Sequence, residues 1–457
     1  MRKPGALAVV RLVCAAMPML AVAGCGSSNP DDTGASPDAG SDASPGAADA
    51  AVDPLPAQRV LYTFDRRHSP ITPELVDRLA AVGSTATGGD LVFAKVGDSM
   101  SADREFLHCF DGGIVDLGDR AALASTIDHY MAGNAAGLSP FRRNSAAAYN
   151  GATAETLLAG TPPPLDEELA AIAPRLAVIM IGTNDIRRGG ELGTFAANLW
   201  RVTERALANG TIPLLSTIPA NTGDPWADVQ IPRTNLAIRG IAQGLQVPFV
   251  DLHRALSPLP NRGISSDGVH LSVAPGGGCL WTSDGLQHGY NTRNLVTIEQ
   301  LNRLRSALAG TASDPSAPTL AGAGLASDPF VVPWPFADIG DTRDGEALVG
   351  EHGCTSGRAQ PGKELVYELT LPSQVRLHAQ VITRDGTAVD VHVLAGGTCR
   401  ASGDNSVIVT VGPGTIQIVV DTPVETGEGE FLLVPDRGSI RRRDGHSRGS
   451  SPISSMR

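Results

Sequence analysis

The chain has 457 residues, 42% of them hydrophobic, which is enough for two or three domains with sizeable cores. Its formal net charge is −12, so no basic field dominates the surface, and a nucleic acid or an anionic membrane surface is excluded as the expected partner. Aromatic residues make up only 4%, which disfavours an extended platform for stacking bases or sugars.

The N-terminal segment, residues 1–25, has the features of an export signal. Two basic residues precede an apolar stretch at 6–20, and Val-Ala-Gly-Cys follows, ending at Cys25. This resembles a bacterial lipoprotein signal, in which cleavage before Cys25 exposes the residue for lipidation. The alternative is an ordinary secretory signal ending in Ala-x-Ala at 21–23. We therefore predict an exported cell-envelope lipoprotein, at the outer membrane or cell surface, held to the membrane by a lipid anchor at Cys25.

Residues 26–57 are rich in Ser, Asp, Ala and Pro and almost free of large apolar residues, which predicts a disordered tether. From 58 to 310, short β-rich runs alternate with helical stretches, which predicts an α/β domain with a parallel sheet. Strands are predicted at 91–96, 176–181, 211–217 and 247–251, helices at 192–209, 236–243 and 295–308, and cleft-forming loops at 101–126 and 221–231.

The remainder of the chain has a different pattern. Residues 311–335 are rich in Pro, Ser and Ala, which predicts a linker. From 336 to 436 apolar residues recur at every second position between turn signals, which predicts a small antiparallel β-sandwich. Residues 437–457 contain an arginine run and no apolar periodicity, so they are predicted to form a disordered basic tail.

Three short motifs, each following an apolar run, contain the groups that a serine esterase needs. A serine offers a hydroxyl nucleophile, an asparagine can donate its amide to an oxyanion, and an Asp-x-x-His pair can act as a base. Taken alone, the motifs are equally compatible with a surface turn, a helix cap and an incidental histidine. In chain order they are Gly97-Asp98-Ser99, Gly182-Thr183-Asn184-Asp185 and Asp267-Gly268-Val269-His270.

Together these motifs make the region 58–310 resemble an SGNH/GDSL hydrolase. That family has a flavodoxin-like three-layer α/β/α fold and includes esterases, lipases and carbohydrate deacetylases. The resemblance implies that Ser99 is the nucleophile, with Asp267 and His270 completing a catalytic triad. It also implies an oxyanion hole formed by the N–H groups of Ser99 and Gly151 and the side chain of Asn184. Before Gly151 the sequence lacks the short strand that is usual in the family.

The function implied is hydrolysis of carboxylic esters through an acyl-enzyme, with no metal and no organic cofactor. A location outside the cytoplasm favours acylated polysaccharide or lipid as the substrate. Two alternatives stay open: an O-acyltransferase that uses the same triad, and a non-catalytic envelope binding protein on an SGNH scaffold. A decayed scaffold would be expected to have lost at least one member of the catalytic set.

Four cysteines remain after the signal peptide and Cys25 are set aside. They lack CxxC spacing and have no histidine at metal-ligand spacing beside them, so a zinc site is not expected, and in an exported protein they predict disulfides. If the triad assembles, the loops that carry Cys109 and Cys279 converge, which predicts one bridge. Cys354 and Cys399 predict the second, within the sandwich.

The C-terminal β-rich region resembles the bacterial pre-peptidase C-terminal domain. Its strands match at 363–371, 390–394 and 419–422. Such modules accompany secreted hydrolases, and the resemblance implies a stabilising role or docking to a cell surface or substrate.

Overall fold

This computed structural model describes residues 59–84, 89–347, 350, 352–354, 359–384, 387–423 and 427–438. The predicted signal peptide, the tether and the lipidation site at Cys25 lie outside the described residues, as does the predicted basic tail from residue 439 onward. No helix in the described ranges is both long enough and apolar enough to cross a membrane.

A four-stranded parallel sheet forms the centre of the first domain. Its strands lie side by side in chain order: β1 (Phe93–Gly97), β2 (Leu176–Met180), β3 (Ile212–Ser216) and β4 (Phe249–Val250). Every residue of β1 and β2 is buried, as their continuous apolar runs predict for a sheet covered on both faces.

On the outer side of β1, Ala148 forms a parallel bridge with Gly97. The Gly97 N–H donates to Ala147 O at 2.9 Å, and the Tyr149 N–H donates to Gly97 O at 3.2 Å. The segment before Gly151 therefore forms no strand of its own but is joined to the end of β1 by an isolated bridge at Ala148. With this segment counted as the second element along the chain, the order of elements across the sheet is 2-1-3-4-5, as in a flavodoxin-like fold.

Helices cover both faces of the sheet. On one side α6 and α7 pack against each other and against β3, and elsewhere α9 packs against α1, α3 and α8. The helices are α1 (Pro73–Ser84), α2 (Ser99–Ala102), α3 (Ala124–Met131), α4 (Pro164–Ile172), α5 (Thr183–Arg187), α6 (Leu192–Ala208), α7 (Pro225–Gly244), α8 (Leu252–Leu256) and α9 (Gly289–Leu308).

Two helices begin earlier than their sequence patterns indicate. The stretch 221–231, predicted as a cleft loop, is helical from Pro225 onward, because the Asp224 side chain accepts hydrogen bonds from Trp226 N and Ala227 N and caps α7. Helix α7 continues through Pro232, and its last two turns are buried. Likewise α9 begins at Gly289, six residues before its predicted start.

The second domain is a β-sandwich of two sheets around one apolar core. One sheet has the order β10-β9-β12-β7-β5 and the other β11-β8-β13-β6. The strands are β5 (Phe330–Val332), β6 (Asp338–Asp341), β7 (Glu364–Leu371), β8 (Val375–Thr383), β9 (Asp390–Ala395), β10 (Thr398–Asp404), β11 (Ser406–Val411), β12 (Gly414–Asp421) and β13 (Glu430–Arg437).

The segment predicted as a linker, 311–335, is part of the folded structure. Its strand β5 pairs in parallel with β7, and the Leu320 N–H donates to Arg59 O at 2.8 Å. The sequence did not predict this strand, because it has only three residues and lies within a Pro- and Ser-rich stretch.

The two domains share an apolar interface. Ile339, Leu432 and Val434 of the sandwich belong to the same buried cluster as the core of the α/β domain. Helix α7 packs against β6 and β13, and the approach is so close at Gly244 that a Cβ there would lie 2.4 Å from Ile339 Cβ. At the edge, Arg384 pairs with Glu204 and lies over the Trp200 ring.

Candidate active site

Ser99 lies on a tight turn between the end of β1 and the start of α2. Gly97 ends the strand with φ +152°, and a Cβ there would lie 2.1 Å from Met180 O, so a larger residue would displace the neighbouring strand. The Asp98 carboxylate then caps α2 by accepting from Met100 N at 3.0 Å. Because Ser99 is the first residue of α2, its N–H has no partner within the helix and is available to a ligand.

The structure brings Ser99, His270 and Asp267 together in one hydrogen-bonded chain. Ser99 Oγ lies 3.0 Å from His270 Nε2, and His270 Nδ1 lies 2.6 Å from Asp267 Oδ2. The side chains of His270 and Asp267 are 41% and 50% exposed, so the chain of contacts ends at an open surface that a substrate can reach. This is the arrangement in which a carboxylate orients an imidazole toward a serine hydroxyl.

Asp267 is held by its own loop as well as by the imidazole. Its Oδ1 atom accepts hydrogen bonds from Ser265 Oγ, Val269 N and His270 N at 2.7, 2.9 and 3.0 Å. Partial burial opposes ionisation, but these bonds and the His270 contact outweigh it and hold the pKa of Asp267 well below its usual range. Asp267 therefore stays a carboxylate at any pH at which the protein would work.

The loop that carries this pair requires a glycine at position 268. Gly268 has φ +78°, its carbonyl accepts from Gly223 N at 3.0 Å, and a Cβ at 268 would lie 2.4 Å from Gly223 Cα. This contact seats the loop against the segment that leads into α7.

A hydrogen bond joins Asn184 to the segment that carries Gly151. Asn184 Nδ2 donates to Ala152 O at 3.0 Å, which uses one of its two amide hydrogens and leaves the other for a ligand. Asn184 does not cap α5, because Gly182 occupies the N-cap position. Gly151 has φ +81°, and its carbonyl accepts from Arg188 Nη2 at 2.8 Å. The bridge at Ala148 joins this segment to the end of β1, two residues before Ser99.

Two further side chains support the site, Arg293 at the nucleophile turn and Asp185 at the Gly151 segment, and sequence reasoning assigned no role to either. The guanidinium of Arg293, buried in α9, donates to Met100 O at 2.6 Å and to Ser101 Oγ at 2.9 Å. Its burial lowers the pKa of Arg293 to about 10, which still leaves it charged. Asp185 accepts from Ala154 N at 3.1 Å and holds the Gly151 segment against α5. The adjacency of Asp185 to Asn184 was the only sequence signal for either residue.

Comparison with known families agrees with this geometry. Residues 96–274 match the model of the GDSL-like Lipase/Acylhydrolase family, a span that includes Ser99, Gly151, Asn184, Asp267 and His270. The α/β domain is a GDSL-like lipase/acylhydrolase domain. The match covers these residues alone, and a domain of this kind supports a carboxylic ester hydrolase.

Among solved structures, the GDSL-like domain is similar to a GDSL-like lipase from Bacteroides thetaiotaomicron, with 18% identity, a TM-score of 0.32 and coverage of 50% of this chain and 97% of the other. An acetylxylan esterase from Geobacillus stearothermophilus matches with 18% identity, a TM-score of 0.32 and coverage of 46% and 93%. The sandwich is similar to the pre-peptidase C-terminal domain of a Bacillus anthracis collagenase, with 14% identity, a TM-score of 0.17 and coverage of 23% and 92%. None of the curated proteins matches the sequence significantly.

Proposed function

We propose that the protein is an extracytoplasmic serine esterase that cleaves carboxylic esters of acylated carbohydrate or lipid through a Ser99-His270-Asp267 triad. The observation that carries this proposal is the continuous chain of contacts from Ser99 Oγ through both imidazole nitrogens to a carboxylate that stays ionised. A serine so placed has a base for its proton, and the base has a group that fixes its tautomer.

The chemistry follows from these positions. Ser99 Oγ attacks the ester carbonyl carbon while its proton passes to His270 Nε2, and Asp267 stabilises the imidazolium. The Ser99 and Gly151 N–H groups and the Asn184 amide stabilise the oxyanion, and each such donor is worth roughly 3 kcal/mol of barrier. The C–O bond to the alcohol then breaks, and the alcohol leaves with the proton from His270. Water, activated by the same imidazole, hydrolyses the acyl-enzyme.

A pocket of about 310 Å³ offers a place for part of the substrate. It is bordered by Asp185, which follows Asn184 in the chain, by Phe195 and Trp226 of the GDSL-like domain, and by Gln380 of the sandwich. Aromatic faces beside amide groups suit a sugar ring or the alcohol portion of an acylated glycan. In this arrangement the sandwich contributes directly to substrate docking, and Trp226→Ala is expected to raise KM more than it lowers kcat.

The extracytoplasmic address is supported by the N-terminal sequence and by the cysteines. All four cysteines of the folded domains form bridges, Cys109–Cys279 and Cys354–Cys399, as predicted. Bridges of this kind persist in oxidising compartments. Metabolic labelling with palmitate, compared between the wild type and Cys25→Ser, tests the anchor, and equal label in both proteins would contradict it.

The triad is tested by turnover of p-nitrophenyl acetate and of acetylated xylan, with Ser99→Ala as the variant and the exposed Ser283→Ala as the matched control. We expect Ser99→Ala to abolish turnover and Ser283→Ala to retain it. A fluorophosphonate should label the Ser99 peptide alone. Turnover in Ser99→Ala equal to that of the wild type would refute the proposal. Acyl transfer to an added glycan instead of release of free acid would assign the transferase alternative.

A further inference from the structure

Three carboxylates lie in a row across adjacent strands of the five-stranded sheet. In the strand register, Asp421 of β12 is directly opposite Glu364 of β7 on one side and Asp390 of β9 on the other. All three are buried, with at most 3% of each residue exposed. Like charges at directly opposed positions destabilise a sheet, and burial increases that cost. The row therefore requires compensating positive charge.

Two histidines meet the same row. His392 lies two residues after Asp390 in β9, on the same face of the strand, and its Nε2 is 3.8 Å from Asp421 Oδ2. His352 lies in the described residues 352–354, called the covering segment below. Its Nε2 is 3.1 Å from Asp421 Oδ2 and 3.2 Å from Glu364 Oε2. The two imidazole rings are tilted by 31° to each other, with their centroids 4.3 Å apart.

These separations match the coordination geometry of a small metal ion. In a tetrahedral zinc site with bonds of about 2.05 Å, neighbouring ligand atoms are about 3.3 Å apart. One ligand atom from each of His352, His392 and Asp421 lies within 4.8 Å of the others, and the separations of 3.1, 3.2 and 3.8 Å bracket the ideal value. Small rotations of the side chains would place a metal at the centre.

We propose that the β-sandwich binds one Zn²⁺ ion through His352, His392 and Asp421, with Glu364 as the fourth ligand. Two imidazole nitrogens with two carboxylates form a donor set suited to zinc, whereas calcium and magnesium prefer oxygen ligands alone and in larger number. The ion supplies the positive charge that the row of carboxylates requires. It also links the covering segment to strands β7, β9 and β12.

Two further observations fit the proposed zinc site. A pocket of about 290 Å³, lined by His352, Glu364 and Cys399 among others, adjoins the cluster and gives an ion a path of entry. The Cys354–Cys399 bridge fixes the covering segment two residues after His352, so this ligand is held near the sheet.

The test is zinc binding by the full-length protein after removal of metal by a chelator. A competition titration against a chromophoric chelator gives affinity and stoichiometry, and elemental analysis of the reloaded protein gives the content. We expect one Zn²⁺ per chain and a higher melting temperature in its presence. We expect Ca²⁺ and Mg²⁺ to have no such effect. Co²⁺ in place of Zn²⁺ should give the visible absorption of a tetrahedral site.

His392→Gln and Asp421→Asn are the test variants, each checked for folding by circular dichroism. Loss of an outer-shell partner weakens a metal site about 10- to 100-fold, so loss of a ligand should weaken binding by at least about 100-fold. His378→Gln is the matched control, because His378 also lies in the sandwich and faces a carboxylate, that of Asp436, at 3.7 Å. It should bind zinc as the wild type does.

Ser99→Ala should also bind zinc normally, so failure of the esterase proposal would leave this result unaffected. Less than stoichiometric zinc in the wild type would overturn the proposal even if both ligand variants failed to fold. Equal affinity in His392→Gln and His378→Gln would overturn it as well, as would a preference for Ca²⁺. In each case the cluster would be a hydrogen-bonded network in which a proton on His352 takes the place of the metal.

Discussion

Replacement of Asp267 by Asn separates the orienting role of this residue from its role in the loop. Oδ1 of Asp267 accepts three of its four hydrogen bonds, from Ser265 Oγ and from the N–H groups of Val269 and His270. An asparagine keeps this oxygen and its bonds, so the loop should keep its shape. Only the atom facing His270 Nδ1 at 2.6 Å changes, from an acceptor to an amide donor.

That one change reverses the imidazole tautomer. With an N–H group opposite it, His270 Nδ1 has to act as the acceptor, so the proton moves to Nε2. Nε2 then donates to Ser99 Oγ at 3.0 Å and can no longer take its proton. In Ser-His-Asp enzymes the corresponding change lowers kcat about 10⁴-fold, which corresponds to about 5 kcal/mol of barrier. Because Asp267 is half exposed, we expect little change in melting temperature.

The assay is kcat on p-nitrophenyl acetate with thermal unfolding measured in parallel. Ser265→Ala is the control, since it removes one hydrogen bond to the same carboxylate but leaves its contact with the imidazole. A single bond of this kind is worth about 1 kcal/mol, so its activity should fall less than about tenfold. The tautomer argument would be refuted if Asp267→Asn kept more than a tenth of wild-type kcat, or if Ser265→Ala lost as much activity as Asp267→Asn.

Three other predictions follow from the supports around the site. Arg293→Lys keeps the charge but loses the pair of hydrogen bonds to the nucleophile turn, so the free energy of unfolding should fall by about 2–3 kcal/mol and kcat should fall with it. An unchanged urea midpoint together with an unchanged kcat would contradict this. The Cys109–Cys279 bridge joins residues 170 apart, so the double Ser variant should lose about 5 kcal/mol of unfolding free energy on a chain-entropy model. The loss should appear as a lower melting temperature than that of the wild type under non-reducing conditions, and equal melting temperatures would contradict it. Burial lowers the pKa of Lys95 to about 7, so between about pH 7 and 10 the unfolded chain binds more protons than the folded one, and the free energy of unfolding should rise with pH. Lys95→Met should reduce the slope of unfolding free energy against pH, and an identical slope in both proteins would count against this prediction.

The sequence by itself determined the class of fold and the positions of the reactive groups. Runs such as 176–180 are apolar throughout, as expected of strands buried on both faces of a sheet. Polar motifs directly after such strands had to lie at the carboxyl edge of a parallel sheet, which is why Ser99 and Asn184 could be assigned to one edge. Asp267 and His270 are three residues apart in one loop, so their contact is local and could be predicted from their spacing in the sequence.

Only the tertiary structure decided which segments that are distant in the chain contact each other. Arg293 reaches the nucleophile turn across more than 190 residues, and nothing near either end of that contact indicates it. The Asp224 cap sets the start of α7. Burial of the helix against the sandwich outweighs the helix-breaking tendency of Pro232 in its interior. Strand β5 is only three residues long and is defined by its partner β7, not by its own pattern.

The cluster around Asp421 shows the same limit most clearly. Its two histidines lie 40 residues apart in the chain, and neither has a ligand motif beside it. They meet because strand register aligns Glu364, Asp421 and Asp390, while the folded covering segment places His352 over them. Register and segment packing depend on the whole sandwich core, because a shift of one residue would turn these side chains to the opposite face of the sheet. Local sequence therefore specifies which groups are present, and long-range packing specifies which of them meet.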